Sequence, residues 1–422
     1  MPRERDSFRP FVLMLLLVAV PASVRAESQP PPRPEPLAQA ASLPSLRDLV
    51  ARARERAPEV AMGRAQLEAS RSSYASARLA PVGNPYLELR ADHGNRGVTR
   101  DVYIDGSLWL PLELSGQRQS RKREAQDFVA WHEAMLEQSR AAATARTVRA
   151  YGALVVGSKR LRVLKELSDD TQSEAKYYAE RLAMGDATER DAALAAVDAA
   201  RHRMLLSETE SELLRATGEL RELTGLSLSP GPSPDPLPSI FKRSAGSAHV
   251  ERSPTLRALT AEAEYHAAAR ERLRREGQSP LSVGVLAGRG DFGETRVGAG
   301  LGYAIPLFRS NQPERARADA ERVRALQERT LRREVFQRRM EVLQLELVEL
   351  EKAFQIVTND ALPAAERAVA AARQTYSAGK GDMLSILVTR RDYSSLALRQ
   401  LEILDKSWLL FSELVEVTGE LP

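Results

Sequence analysis

The sequence predicts a mainly α-helical protein with a small amount of β-structure, built by tandem duplication of one unit. Matched landmarks recur at a nearly constant separation: 196 for Pro58 and Pro254; 195 for Pro85 and Pro280, Pro111 and Pro306, and Gln117 and Gln312; 194 for Gly185 and Gly379 and for Gly225 and Gly419. Aromatic residues are 5% and charged residues 28% of the chain, the profile of long exposed helices. In each copy the hydrophobic period also changes from 3.6 to 2 over two short segments. A unit of about 170 residues is far longer than the 20 to 50 of a solenoid repeat.

The first 26 residues read as a secretory signal: MPRERDSFRP is weakly basic, FVLMLLLVAV is apolar, and Val24 and Ala26 are small residues suited to cleavage. A short membrane anchor is the alternative, but this run falls well below the roughly 20 residues a spanning helix needs. Cleavage would remove Arg3, Arg5, Arg9 and Arg25 with Glu4 and Asp6, lowering the formal charge from +4 to +2. A nearly neutral mature chain gives no case for a nucleic-acid partner. Residues 27–44 form a proline-rich leader, read as a tether.

Repeat 1 is expected over 45–225 and repeat 2 over 248–421. Between them, 226–247 form a linker with prolines at alternate positions from 230 to 238. Each repeat opens with a helix rich in Ala, Arg, Glu and Leu, at 45–79 and 253–276. A β-hairpin follows, at about 85–111 and 280–306. In the first, Leu87, Leu89, Ala91, Val102, Ile104, Leu108 and Leu110 share an apolar face, opposite Glu88, Arg90, Asp92, Asp101, Asp105 and Ser107. In the second, Leu281, Val283, Val285, Val297, Leu301 and Tyr303 alternate with small residues, Gly298, Gly300 and Gly302 among them.

Two readings of these hairpins stand side by side. Either the apolar face packs on a helix, as in many α+β domains, or it meets lipid, as in a transmembrane barrel. The acidic residues and bare glycines opposite suit a wet lumen. Four strands cannot close, and an open edge is not tolerated in hydrocarbon, so strands that span a membrane require an oligomer.

From Gln117 to Met184 there is no proline, and that run could extend roughly 100 Å as one helix. Repeat 2 repeats the design from Glu314 to Ala378, with Pro363 as its expected kink. Beyond the turns at Gly185 and Gly379 the chain returns as coiled-coil partners. Their seams are Leu206, Thr209, Leu213, Ala216, Leu220 and Leu223 in repeat 1, and Leu401, Leu404, Trp408, Phe411 and Val415 in repeat 2.

Chemistry-bearing patterns are sparse. There is no cysteine, hence no disulfide, thiolate metal site or cysteine-linked lipid anchor. The histidines at 93, 132, 202, 249 and 266 share no ligand spacing, and those on helices are expected to be exposed. GRGDFG at 288–293 lacks the setting of a phosphate loop. No nucleophile, histidine and carboxylate set suggests catalysis, so neither an enzyme nor a cofactor is expected.

Several segments, in order and duplicated, resemble the TolC-like outer membrane efflux factors, most nearly the CzcC-type branch. They are GNPYLEL (83–89), LPLELSGQRQSRKREA (110–125), RLAMGDATERDAAL and ELTG in repeat 1, and SPTLRAL, IPLF, QTYSAGKGDMLSIL and VTG in repeat 2. The resemblance implies a homotrimeric tube in which four strands per chain build a 12-stranded outer-membrane β-barrel on a long α-helical barrel in the periplasm. It also implies a passive exit duct for heavy-metal cations or drugs, coupled through a periplasmic adaptor to an inner-membrane pump. On this view Arg181, Gly185, Asp186, Thr188, Tyr376, Gly379 and Lys380 form periplasmic tips that meet the adaptor.

The family's constriction carries acids six and nine residues after the second tip glycine, positions that are Ser385 and Val388 here. The sequence therefore suggests a variant gate built on Asp191 and Asp382, held by Arg190, Arg390 or Arg391. A periplasmic coiled-coil scaffold or adaptor without a channel is the rival, disfavoured by the presence of two helical hairpins in one chain.

Overall fold

The computed structural model describes residues 43–421 apart from 79–81, 97–98, 229–249, 290–293, 309, 379 and 382. The signal and most of the leader, most of the linker, Gly379, Asp382 and most of GRGDFG lie outside the described residues.

Ser45 caps α1 (Leu46–Arg56) by accepting the Asp48 N–H, and Leu46, Leu49, Val50 and Ala53 are buried. The single opening helix expected over 45–79 is divided. It stops at Ala57 and resumes as α2 (Pro58–Ala77), because Pro58 has no N–H to continue the ladder. Two antiparallel strands follow, β1 (Tyr86–Arg96) and β2 (Thr99–Leu112), then α3 (Gln117–Ala183) and α4 (Glu189–Thr224). Repeat 2 repeats the order with α5 (Pro254–Glu276), β3 (Leu281–Arg289), β4 (Thr295–Tyr303) and α6 (Gln312–Ile356). A π-helical turn, Val357–Ala361, joins α6 to α7 (Leu362–Ser377), and α8 (Met383–Thr418) returns.

At 67 residues, α3 runs about 100 Å. It is the hub of the helical layer: α2 and α5 pack on it, α4 and α8 pack on it, and α6 joins through α5 and α8. Its middle is buried almost all round, from Ala143 to Gly157. Both return seams are apolar and inside: Leu213, Leu220 and Leu223 of α4, and Leu401, Leu404, Trp408, Phe411 and Val415 of α8.

The two glycines within α3 serve packing, not bending. A Cβ on Gly152 would stand 2.4 Å from Cγ of Trp408, and one on Gly157 would stand 2.9 Å from Cδ2 of Leu213. The indole thus lies on bare helix backbone, edge-on to Tyr151 at 5.9 Å and to Phe411 at 6.1 Å. This contact joins the descending helix of repeat 1 to the returning helix of repeat 2.

The strands form one antiparallel sheet in the order β1-β2-β3-β4. Register sets Leu87 opposite Leu108, Ala91 opposite Ile104, Leu108 opposite Val285, Leu110 opposite Val283, and Val283 opposite Leu301. Because side chains alternate, these residues line a single apolar face across all four strands. That face has no helix on it: Leu301 is 76% exposed and Leu89 70%. Among the described residues β1 and β4 each pair on one side only.

Gly152→Ala should lower stability by about 2–3 kcal/mol through overpacking against Trp408. Thermal unfolding checks this, and adding Trp408→Leu to Gly152→Ala should recover part of the loss.

Candidate functional site

Two regions carry the features from which function can be read: the sheet, and the far ends of the helical hairpins. On the face of the sheet opposite the apolar one, register lines up Arg90, Asp105, Gly288 and Arg296 in one row, with Glu88, Ser107, Leu286 and Gly298 in the next. A third row holds Tyr86, Trp109, Gly284 and Gly300. The glycines of this last row, read from sequence as bare wet lumen, are covered. The Trp109 indole lies against Gly284, Gly300 and Gly302, where a Cβ would come within 2.5, 2.8 and 3.4 Å of its ring. Tyr86 stacks on it at 6.4 Å, and its Nε1–H donates to Ser107 Oγ at 2.8 Å. One indole therefore spans all four strands.

Below the sheet, Phe128, Trp131 and His132 of α3 meet Tyr265 and His266 of α5. Phe128 and His132 are 4.4 Å apart, and Trp131 stacks on Tyr265 at 5.4 Å. Histidines expected in solvent are thus drawn inward, because an imidazole has an apolar body that rings can cover. His202 alone among the described histidines is fully buried, 4% exposed, with Nδ1 2.9 Å from the Asp198 carbonyl. Burial lowers the pKa of both His132 and His266, with the charges of Glu262 and Glu321 acting against it at His266. Among the described residues no group of three or more His, Cys, Asp or Glu is placed to hold a metal, and no helix is long and apolar enough to cross a membrane.

At the first hairpin end the chain turns through a Schellman cap. Gly185, at φ 80°, donates to Leu182 O at 3.0 Å and Asp186 donates to Arg181 O at 2.8 Å. Lys380 donates to Thr375 O at 3.0 Å, the equivalent long bond in repeat 2. Arg181 lies over the Tyr177 ring at 5.7 Å, and Met184, at 70% exposed, stands at the extremity. Thr188 caps α4, accepting the Asp191 N–H at 3.1 Å and donating to the Asp191 carboxylate at 2.7 Å. Of the gate candidates, Asp191 is held in this cap, with Arg190 3.9 Å away, while Ser385 and Val388 are exposed on α8.

Arg390 does not join Asp191. It is 3% exposed and donates to Glu174 of α3 and, at 2.7 Å, to Asp198 of α4. A long flexible side chain takes the nearest carboxylates that its helix packing presents, and here these lie in the interior. Tyr376 accepts a 2.8 Å hydrogen bond from Tyr178, tying the two hairpins together near their ends.

The chain thus combines a four-stranded sheet, bare on its apolar face, with helical hairpins whose longest helix runs about 100 Å. Comparison with known proteins gives this architecture counterparts. Residues 49–226 match the family described as Outer membrane efflux protein, and the chain as a whole is similar in fold to TolC-like channels. It is 24% identical over 361 residues to the cobalt-zinc-cadmium resistance protein CzcC of Cupriavidus metallidurans, covering 84% of this chain and 85% of that one. The Campylobacter jejuni CmeC outer membrane channel superposes with a TM-score of 0.69 at 14% identity, over 89% of this chain and 85% of the other. The Vibrio cholerae outer membrane protein VceC superposes with a TM-score of 0.66 at 16% identity, over 89% and 96%.

The half-buried His132 and His266 generate a pH prediction. Unfolded, each imidazole takes up a proton near pH 6.5. In the fold, burial keeps them neutral to lower pH, so the unfolded chain binds more protons and stability falls as pH drops below about 6.5. Melting temperatures at pH 7.5 and 5.5 should differ less in His132→Leu, and least when His266→Leu is added.

Proposed function

We propose that this protein is the outer membrane component of a tripartite efflux system, a passive exit duct for cargo delivered by an inner-membrane pump through a periplasmic adaptor. The observation that carries this reading is the bare apolar sheet with two open edges. A sheet facing hydrocarbon must pair every edge group. Cyclic assembly does so without leaving an end, and three copies of four strands give a barrel of twelve. The helical hairpins then line a tunnel below the barrel.

In this reading the duct performs no catalysis. Arg181, Gly185, Asp186, Thr188, Tyr376, Gly379 and Lys380 form the adaptor-facing tips. Asp191, Asp382, Ser385 and Val388 line the resting constriction, where exposed Ser385 and Val388 make α8 less acidic than the family pattern. The name of the Cupriavidus relative makes cobalt, zinc and cadmium the first cargoes to test, with drugs beside them. A periplasmic scaffold is the weaker reading, because a soluble protein would leave this sheet face exposed to water.

Deleting the protein from its host should sensitise cells to at least one class among metals, dyes, detergents and antibiotics, and restoring it should reverse the effect. Gly185→Arg should leave trimers in the outer membrane while failing to restore resistance. Asp191→Ala should raise closed-state leak in planar bilayers. Unchanged sensitivity together with a soluble periplasmic protein would contradict the proposal.

A further inference from the structure

Closure of a barrel uses the edges of the sheet and its apolar face, and leaves the opposite face with chemistry of its own. Trp109 is the large ring at the centre of that face, and the glycines beside it decide how it lies. With Gly284, Gly300 and Gly302 where larger residues would stand, the indole rests across β3 and β4, one face against the wall and the other turned away from it. Ser107 Oγ accepts the Nε1–H at 2.8 Å, and Tyr86 lies beside the indole at 6.4 Å with the ring planes 15° apart. The indole is half-buried and Tyr86 exposed. β2 and β3 are the inner strands, so copies that pair with β1 and β4 add strands beside this aromatic shelf without covering it.

A hollow of about 470 Å³ adjoins the shelf, bounded by Trp109, Glu88, Arg90, Asp105 and Arg296. Asp105 reaches across to β3, where a Cβ on Gly288 would fall 1.8 Å from its Oδ1. Arg90 pairs with Asp92 at 2.7 Å and Arg296 with Glu294 at 2.8 Å, so each guanidinium has an acid two residues away. Among the described residues Glu88 and Asp105 have no ion pair, and they leave the hollow with an excess of negative charge beside an open indole face. The volume is of the size that takes a small organic molecule. An aromatic face attracts positive charge through its quadrupole, and carboxylates add to that attraction. A metal ion is matched less well, because among the described residues no group of three or more His, Cys, Asp or Glu converges to hold one.

We propose that this shelf is a cargo subsite in the wall of the duct, taking flat aromatic cations with their rings over Trp109 and their charge toward Glu88 and Asp105. The site is open on one side, so it holds such a molecule briefly and lets it go, as conduction requires. A trimer carries three of these subsites around the lumen. The inference rests on the channel reading given above and names a class of cargo for it.

Fluorescence anisotropy on the purified protein in detergent tests it, with ethidium as the flat cation and fluorescein as a flat anion. Ethidium should bind and fluorescein should not. Trp109→Leu should weaken ethidium binding by several-fold to about thirtyfold, and Trp109→Phe by less. Glu88→Gln combined with Asp105→Asn keeps the shape of the hollow and leaves Trp109 in place, and it should weaken ethidium binding as well. Ethidium held equally well by Trp109→Leu or by the double variant, or fluorescein held as tightly as ethidium, would overturn the subsite.

Planar bilayers give a second readout and separate the subsite from the channel reading. Ethidium should interrupt the current through wild-type protein in brief blockades, and the blockades should shorten in Trp109→Leu. A conducting protein whose current ethidium leaves undisturbed would contradict the subsite and keep the channel. Protein that carries no current would instead count against the channel reading, and the anisotropy titration would still judge the shelf.

Discussion

The structure depends on one constraint: a four-stranded sheet with a bare apolar face, whose edge strands β1 and β4, among the described residues, each pair on one side only. In water the face is costly to expose, and in lipid the edges are. In the proposed function, closure with further copies satisfies both. Duplication of the chain fits this requirement, because each repeat supplies one hairpin and the β2–β3 pairing joins the two into a wider piece of wall. Trp109 secures that seam from inside, resting on glycines contributed by the other repeat.

The helical layer obeys a related logic. Helices this long cannot be held by a compact core, so stability is distributed along α3, on which α1, α2, α4, α5 and α8 pack. Close approach decides where α3 and α8 meet: Gly152 lets the Trp408 indole reach backbone, and the surrounding Leu, Val and Tyr side chains close over it. Below this point the two copies diverge. Repeat 1 stays continuous and keeps side chains buried as far as Tyr178, whereas repeat 2 widens at Val357–Ala361 and α7 buries no residue.

Much of this was legible in the residues. Strand positions followed from period-2 alternation, the turn at Gly185 from a glycine ending a long helix, and the coiled-coil seams from spacing alone, since these signals are local. The break at Pro58 is equally local, but its signal is a single proline inside a helix-rich stretch. The pairing of Arg390 was not legible, because Glu174 and Asp198 lie some two hundred residues away in sequence and only packing presents them. Trp109 over the glycines of repeat 2, and His132 among rings from α3 and α5, depend in the same way on register between distant segments. Pro363 did announce a disturbance, but that it would take the form of a π turn depends on how α6, α7 and α8 accommodate the missing N–H.

The central claim is that the open sheet closes between copies of this chain. Native mass spectrometry of the protein extracted from the outer membrane in mild detergent tests it most directly. The account predicts a species of three copies that releases monomers only on denaturation. A stable monomer, or recovery solely from the soluble periplasmic fraction, would contradict it.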